Sequence, residues 1–541
     1  MEKVKKPNKF GKKVYRYGVE LLAVGALTGF FSGLVVTLYS VVATMAEQFA
    51  RGSYEYIRQN PAWIPLLFAA LFLGAVIIGG VVKFIPMIRG SGIPQAEGAA
   101  RGLLHFKWFR VLTGMFASSL FTIFMGLSAG SEGPSIIIGS ACGYGTSTVL
   151  RRNESVFRYQ VTGGACAGLA VAFNAPLTGM AFSFEEAHKR FTPEVFICAF
   201  SSVIVAILTR NVLREAMNLP VESTFSAFTF EGIEAFDLPF LTIVLVSSVV
   251  CGLLGVLFYR LIFAVKKQCG KITFWKGIGI FIIPFFLGGA ASLLTTYALG
   301  GGHAFIDALG SLSDGVVTVF SSPVWVTILL VIVLKFVLTI VNIGVGVPCG
   351  AFIPMLSIGA GIGALASLLG VQAGMDAKYC DLLILICMAV FFTTVVKSPI
   401  TGIVMVMELT WQFTFLLPVI LGVAIGYLIG DICRTQPIYD VLLDQLMEEK
   451  HKTDPPVKLF AKVRVRIGGP ADGHAIRDIL WPSNAYVVAI EREGRRIQLG
   501  GKTVLRGDDV LTVEASAEDV KEFLHTLSST AGEILQHEIC K

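Results

Sequence analysis

Five apolar stretches, 19–43, 63–82, 238–265, 278–294 and 324–341, dominate the first four-fifths of the chain. Each is long enough, or nearly so, to cross a hydrocarbon core of roughly 30 Å, which takes about 20 helical residues. In lipid, backbone N–H and C=O groups must be satisfied without water, so these stretches predict a polytopic bundle of helices. The composition agrees: 54% of the 541 residues are hydrophobic and 15% are charged, against roughly a quarter charged in soluble domains. The first stretch exceeds the apolar region of a signal peptide and lacks a cleavage pattern, so it reads as a retained helix.

The net charge of +6 says little as a total, but its distribution is informative. Lys3, Lys5, Lys6, Lys9, Lys12, Lys13 and Arg16 crowd the N-terminus, which the positive-inside tendency places in the cytoplasm. The segment with Glu215, Glu222, Glu231, Glu234 and Asp237 is acidic and reads as external. Such a basic tail also fits nucleic-acid binding, but beside an apolar stretch a topology signal is the better reading, and no nucleic acid is expected as a partner. Ten cysteines lie without C-x-x-C spacing, and Cys142, Cys166, Cys198, Cys251 and Cys387 sit in apolar runs. They read as buried thiols, neither a disulfide framework nor a metal site. H-E-x-x-H, Walker and nucleophile-elbow patterns are missing, so the chain reads as a non-enzyme without metal or cofactor.

After Tyr439 the composition changes. Residues 441–456 form a charged linker, and from 457 short strand-like runs (460–467, 485–490, 510–513) alternate with turns at Gly468-Gly469 and Gly500-Gly501. Helical patterns follow Gly473 and Ala517, which predicts a small soluble α+β domain.

The membrane part repeats itself. "NAPLTGMAFSFEE" from Asn174 matches "KSPITGIVMVMEL" from Lys397, so Pro176, Thr178, Gly179 and Glu185 recur 223 positions later as Pro399, Thr401, Gly402 and Glu408. Gly130, Pro134, Gly139 and Gly143 recur at a shift of 220 as Gly350, Pro354, Gly359 and Gly363, a register that aligns Glu132 with Phe352. Duplicated membrane units commonly place a substrate where broken helices of the two halves meet, here near Glu132 and Phe352. The repeat alone leaves parallel and inverted halves open; an odd number of crossings per half, which the basic start and the acidic middle segment suggest, would make them inverted.

Three glycine-rich breaks precede apolar runs: "RGSGIPQ" around Ser91, "GSEGP" around Glu132 and "GVPCGAFIP" around Phe352. Glycine lets backbones approach, and the helix starts that follow offer unpaired N–H donors and the positive end of a helix dipole to an anion. The alternative, glycines that only let helices pack closely, suits a single break better than three. An anion held by amides and hydroxyls is bound loosely enough to leave, as conduction requires. Glu132, at one such start, can occupy the anion's place when ionised and vacate it when protonated. Glu185 has a repeat mate in Glu408, which argues for a shared structural role, whereas Glu186 aligns with Leu409. The unmatched carboxylate, followed by His188, Lys189 and Arg190, is the candidate second proton station, with a membrane-boundary position as its alternative. Lys335 reads as an ion-pair partner or as a snorkelling or polar-facing residue, and His303 as a loop residue.

The ordered motifs "GSGIP" (90–94), "GSEGP" (130–134) and "GAFIP" (350–354), with Tyr439 in "QPIYD", resemble the CLC family of chloride channels and proton-coupled chloride antiporters. "GGGHAFI" and "NAPLTG" resemble it too, so the likeness covers residues 20–440. The resemblance implies a homodimer in the bilayer, each subunit an all-α domain of two inverted repeats of tilted, broken helices with its own pathway. It implies anion contacts from Ser91, Tyr439, Ala351 and Phe352, gating by Glu132, and internal proton transfer by Glu186 with Glu97 nearby. Chloride and protons are the implied substrates. Two positions depart from the family pattern: Ser131 replaces an arginine and Gln95 a glutamate. The C-terminal segment resembles TrkA-C (RCK-C) domains, which implies either a small-molecule or nucleotide sensor or a dimerisation module.

The expected organisation is a basic tail (1–18), a transport domain (19–440, with repeats at 19–213 and 236–440), a linker (441–456) and a regulatory domain (457–541). The expected setting is a prokaryotic plasma membrane with both termini cytoplasmic. The expected function is proton-coupled chloride antiport. Its rivals are a passive voltage- or pH-gated chloride channel on the same scaffold and a membrane receptor signalling through the C-terminal domain.

Overall fold

The computed structural model describes residues 9–540 apart from 153, 190–191, 221–224, 226–227, 229, 231–232, 234–235, 271–276, 311–322, 454–456, 480, 483–484 and 518–519. Lys3, Lys5, Lys6, Arg190, Glu222, Glu231 and Glu234 of the charge pattern lie outside the described residues.

Seven helices among the described residues are long and apolar enough to cross a membrane. They differ in what surrounds them. The most apolar window of Pro61–Phe84 is 28% buried, whereas that of Ala377–Val396 is wholly buried. A helix apolar on every side belongs either in lipid or in the middle of a bundle, and this chain uses both solutions. Other apolar helices are too short to span upright, such as Pro399–Thr410 and Leu416–Ile432. Helices Ile93–Ala100, Pro176–Phe182 and His303–Leu309 are shorter still. Backbone ends at such depth are tolerated only where protein or a cavity covers them.

The repeat in the sequence becomes a reciprocal contact in space. The Glu185 carboxylate accepts from the amides of Ile400 (2.9 Å) and Thr401 (2.6 Å), capping helix Pro399–Thr410. Glu408 returns the contact, accepting from the amides of Leu177 (2.8 Å) and Thr178 (2.7 Å) at the start of helix Pro176–Phe182. Each half therefore caps the other with the same residue on the same positions, which requires a two-fold relation. Gly130 and Gly350 form a second reciprocal pair, an antiparallel bridge with N–H···O distances of 2.9 and 2.7 Å. No side chain fits there: a Cβ on Gly350 would lie 2.7 Å from the Gly130 oxygen and 2.9 Å from the Gly133 nitrogen. The halves meet running in opposite directions, as inverted repeats do.

Beyond the membrane part, helix Ile438–Thr453 runs through residues 441–453 of the expected linker. The sequence masks this helix because its charged second half hides the packing of its first turns, where Ile438, Tyr439 and Leu443 are buried. The C-terminal domain is a five-stranded antiparallel sheet of order β3-β2-β4-β1-β5: β1 (Val457–Val465), β2 (Ala485–Arg492), β3 (Arg495–Ile497), β4 (Val510–Ala517) and β5 (Gly532–Cys540). Leu459, Ala461, Val463 and Val465 of β1 alternate inward and pack with Leu511 and Val513 of β4 and with Phe523 and Leu527 of helix Val520–Thr530. The helix expected after Gly473 is a single turn, Ile476–Asp478, because the chain there pairs with 501–505 instead.

Removing either crossed cap by Glu185→Ala or Glu408→Ala leaves two amides without an acceptor, at about 1–3 kcal/mol for each buried donor. Thermal unfolding in detergent should show each variant melting several degrees below the wild type. Unchanged midpoints would mean that the caps do not hold the halves together.

Candidate functional site

The three glycine-rich breaks converge. Gly90 and Gly92 both have φ of +80°, which turns the chain sharply into helix Ile93–Ala100. The turn is pinned to the end of helix Val324–Val345 by the bonds Gly90 N–H to Gly346 O (3.0 Å) and Arg89 Nη2 to Val345 O (3.3 Å). A Cβ on Gly133 would meet both the Ser91 oxygen (2.9 Å) and the Gly350 Cα (3.0 Å), so the starts of helices Glu132–Val149 and Phe352–Gln372 adjoin this turn. Their first amides have no acceptor within their own helices.

These starts border an open cavity of about 60 Å³ lined by Ser91, Ala351 and Tyr439. The Tyr439 ring stacks on Phe352 at 6.0 Å, and its buried hydroxyl has no hydrogen-bond partner among the described residues. The Ser91 hydroxyl oxygen accepts from the Ile93 amide at 3.4 Å, which leaves its own hydrogen to donate. Beside the acidic Glu449, the cavity is also lined by two cations, Arg89 and Lys266. Sequence reasoning missed both, although Arg89 directly precedes "GSGIP" and Lys266 ends an apolar run. The departing Gln95 lines the cavity too, but its Nε2 is used to donate to Arg89 O at 2.8 Å. Hydroxyl donors, helix starts and flanking cations together suit an anion.

Glu132 is 1% exposed. Its Oε1 accepts from Ser131 Oγ at 3.1 Å and lies 3.5 Å from His303 Nε2, while Oε2 has no partner among the described residues. His303 is thus not a loop residue. Gly302, at φ 111°, turns the chain so that His303 begins helix His303–Leu309 and faces the glutamate.

A second carboxyl pair lies nearer the C-terminal domain. Glu186 sits on a widened helical turn, Ser183–Ala187, and its carboxyl is in hydrogen-bond contact with that of Glu97. Both are buried, and two carboxyls this close disfavour each other's ionisation. Ser398 donates to Glu186 Oε1, and Arg101 bonds Glu97 Oε2 (3.4 Å), the Glu186 backbone oxygen (3.3 Å) and Asp440 (2.9 Å). Lys189 completes the group on Asp440. Asp440 directly follows Tyr439, so the ion cluster ties the tyrosine's helix to the carboxyl pair. Arg101 and Asp440 were not legible as site residues, since each is an ordinary surface-type charge until the fold brings it there.

Lys335 does not snorkel. It is fully buried, and its Nζ donates to the carbonyls of Gly300 (2.6 Å) and Leu299 (3.3 Å).

The sequence model of the voltage gated chloride channel family matches residues 73–431, and that of the TrkA-C domain matches residues 460–528. The H(+)/Cl(-) exchange transporter ClcA of Vibrio cholerae is 27% identical over 449 residues, covering 80% of this chain and 90% of the relative. That of Yersinia pseudotuberculosis is 28% identical over 386 residues, covering 69% and 76%. Among solved structures, a slow cyanobacterial Cl-/H+ antiporter superposes with TM-score 0.70 at 23% identity, over 80% of this chain and 99% of that one. A CLC-type fluoride/proton antiporter superposes at 0.62 and 17% identity, over 79% and 98%. These two likenesses establish the fold.

An orphaned hydroxyl facing an anion is worth about 1 kcal/mol or somewhat more when satisfied. Calorimetric titration of the purified protein with halide should therefore find Tyr439→Phe weaker by roughly five- to tenfold. Equal affinities would remove Tyr439 from the site.

Proposed function

The chain belongs to the voltage gated chloride channel family, and from that premise we propose that it is a proton-coupled chloride antiporter. Chloride enters from the side of the C-terminal domain past Arg89 and Lys266. It is held by the hydroxyls of Ser91 and Tyr439 and the amides of Ala351 and Phe352, donors that neutralise it without trapping it. Glu132 stands at the next helix start, where its carboxylate competes with chloride when ionised and withdraws when protonated. Protons reach it from the carboxyl pair of Glu97 and Glu186.

The observation that carries this reading is Glu186 itself. A passive pathway has no use for a buried carboxyl in contact with a second one, and burial of an ionisable group at membrane depth is costly enough to argue for a task. Its cluster also reaches Asp440, beside Tyr439, which gives proton and anion stations a common support. The relatives named as H(+)/Cl(-) exchange transporters support the same reading. Each chain carries a complete site, so the proposed homodimer holds two independent pathways in a bacterial inner membrane, with both termini cytoplasmic.

The TrkA-C domain is proposed to regulate transport, with a small-molecule or nucleotide ligand. Arg158 supports a route: its Nη1 donates to the Trp481 carbonyl of that domain (3.3 Å), and its Nε donates to the Ala100 carbonyl (3.1 Å) at the end of the helix carrying Glu97.

Liposomes holding a chloride gradient, with the membrane potential clamped and internal pH followed, test the proposal. Chloride efflux should drive uphill proton movement in the wild type. Glu132→Gln and Glu186→Val should abolish proton movement while chloride still passes. Chloride flux without proton movement in the wild type would make the protein a channel.

A further inference from the structure

Glu132 is held on one side by a serine hydroxyl and a histidine, and by no arginine or lysine among the described residues. We propose that His303 is a positioning residue for Glu132: its imidazolium pairs with the carboxylate, and the pH of the face opposite the C-terminal domain sets whether that pair exists. The inference rests on the antiport reading and adds to it the group that tunes the gate.

The location of that face follows from the first helix, Lys9–Gln59. Glu20 on this helix pairs with Arg152, close to Arg158 and its contact with the C-terminal domain. Glu47 lies about 40 Å further along the same helix, at 1.5 Å per residue. Glu47 in turn sits against Gly300, three residues before His303. The His303 side chain retains 33% of its exposure, so protons on that face can reach it, while Glu132 behind it keeps 2%.

Among the described residues, the charged groups facing His303 come from four elements. Glu132 contacts Nε2 at 3.5 Å from the start of its helix. Asp307, one turn along the histidine's own helix, and Glu47 of the first helix are the other acidic groups within electrostatic range. Glu47 is already paired with Arg51 at 3.6 Å. Lys335 of helix Val324–Val345 comes near through its stem, but its ammonium is used by the carbonyls of Leu299 and Gly300. Helix Phe352–Gln372 offers Ser357, which donates to Pro354 O, and the segment before Asp237 offers the apolar Phe225 ring at 5.7 Å. Acidic neighbours favour the imidazolium, and Glu132 is the one in contact with it. Protonating Glu132 forfeits its ion pair with the imidazolium, and His303→Gln removes that pair altogether.

The test follows chloride turnover of the full-length protein in liposomes as pH on the His303 face is varied. Glu132→Gln serves as the reference without a titratable gate. His303→Gln should move the midpoint of the pH profile toward the alkaline side by roughly one unit, the effect of losing one adjacent opposite charge. Ser131→Arg/His303→Gln, which returns a fixed cation to the same carboxylate oxygen, should move it back. A His303→Gln profile superimposable on the wild type, with Glu132→Gln uncoupled, would overturn this inference and leave the antiport reading standing. Persistent proton coupling in Glu132→Gln would overturn both. Should His303→Gln lose all flux, the double variant decides: recovery supports the pairing, and continued loss overturns it.

Discussion

Two glycines hold the arrangement together. The Gly130–Gly350 bridge lets backbone from the two halves meet with no side chain between them, and the helices carrying Glu132 and Phe352 begin immediately beyond it. Because both glycines are buried, their N–H and C=O groups must satisfy each other. Everything that makes the site chemically useful depends on this approach. It brings two helix starts, each with unbonded amides, within reach of the Ser91 turn and the Tyr439 hydroxyl. A bulkier residue at either glycine would separate the starts and leave an ordinary helix bundle.

The carboxylates of the membrane part sort by how completely they are bonded. Glu185 and Glu408 each use both oxygens on backbone amides of the opposite half, and such groups are structural. Glu132, Glu97 and Glu186 each keep one buried oxygen without a hydrogen-bond partner. An unsatisfied buried acceptor is costly unless it exchanges a proton or an ion as part of its work. The same distinction separates the tyrosines, since Tyr39 and Tyr54 donate to Ser119 and Met125 O while Tyr439 does not. These incompletely bonded groups are the ones that the proposed function puts to use.

Much of this was legible in the sequence because it is local or periodic. Glycine and proline spacing marks the breaks, and the shift of 223 between "NAPLTG" and "KSPITG" reports the two-fold relation, down to the different fates of Glu185 and Glu186. What was not legible depends on distant segments meeting. The contact of His303 with Glu132, and that of Asp440 with Arg101 and Lys189, exist only once the fold brings those segments together. For Lys335 the sequence left pairing, snorkelling and a polar-facing position open, because nothing in an apolar run announces that two carbonyls 35 and 36 positions away will accept its hydrogen bonds. β5 escaped notice because "GEILQHEIC" mixes charge into its alternation, and only its pairing with β1 defines it.

The central claim is that chloride and protons share one cycle. The most direct test is the reversal potential of the purified wild-type protein in a planar bilayer under a fixed chloride gradient, with a pH gradient then imposed. Coupled exchange predicts a reversal potential that departs from the chloride equilibrium value and moves when the pH gradient is changed. A reversal potential that stays at the chloride equilibrium value, whatever the pH gradient, would contradict it.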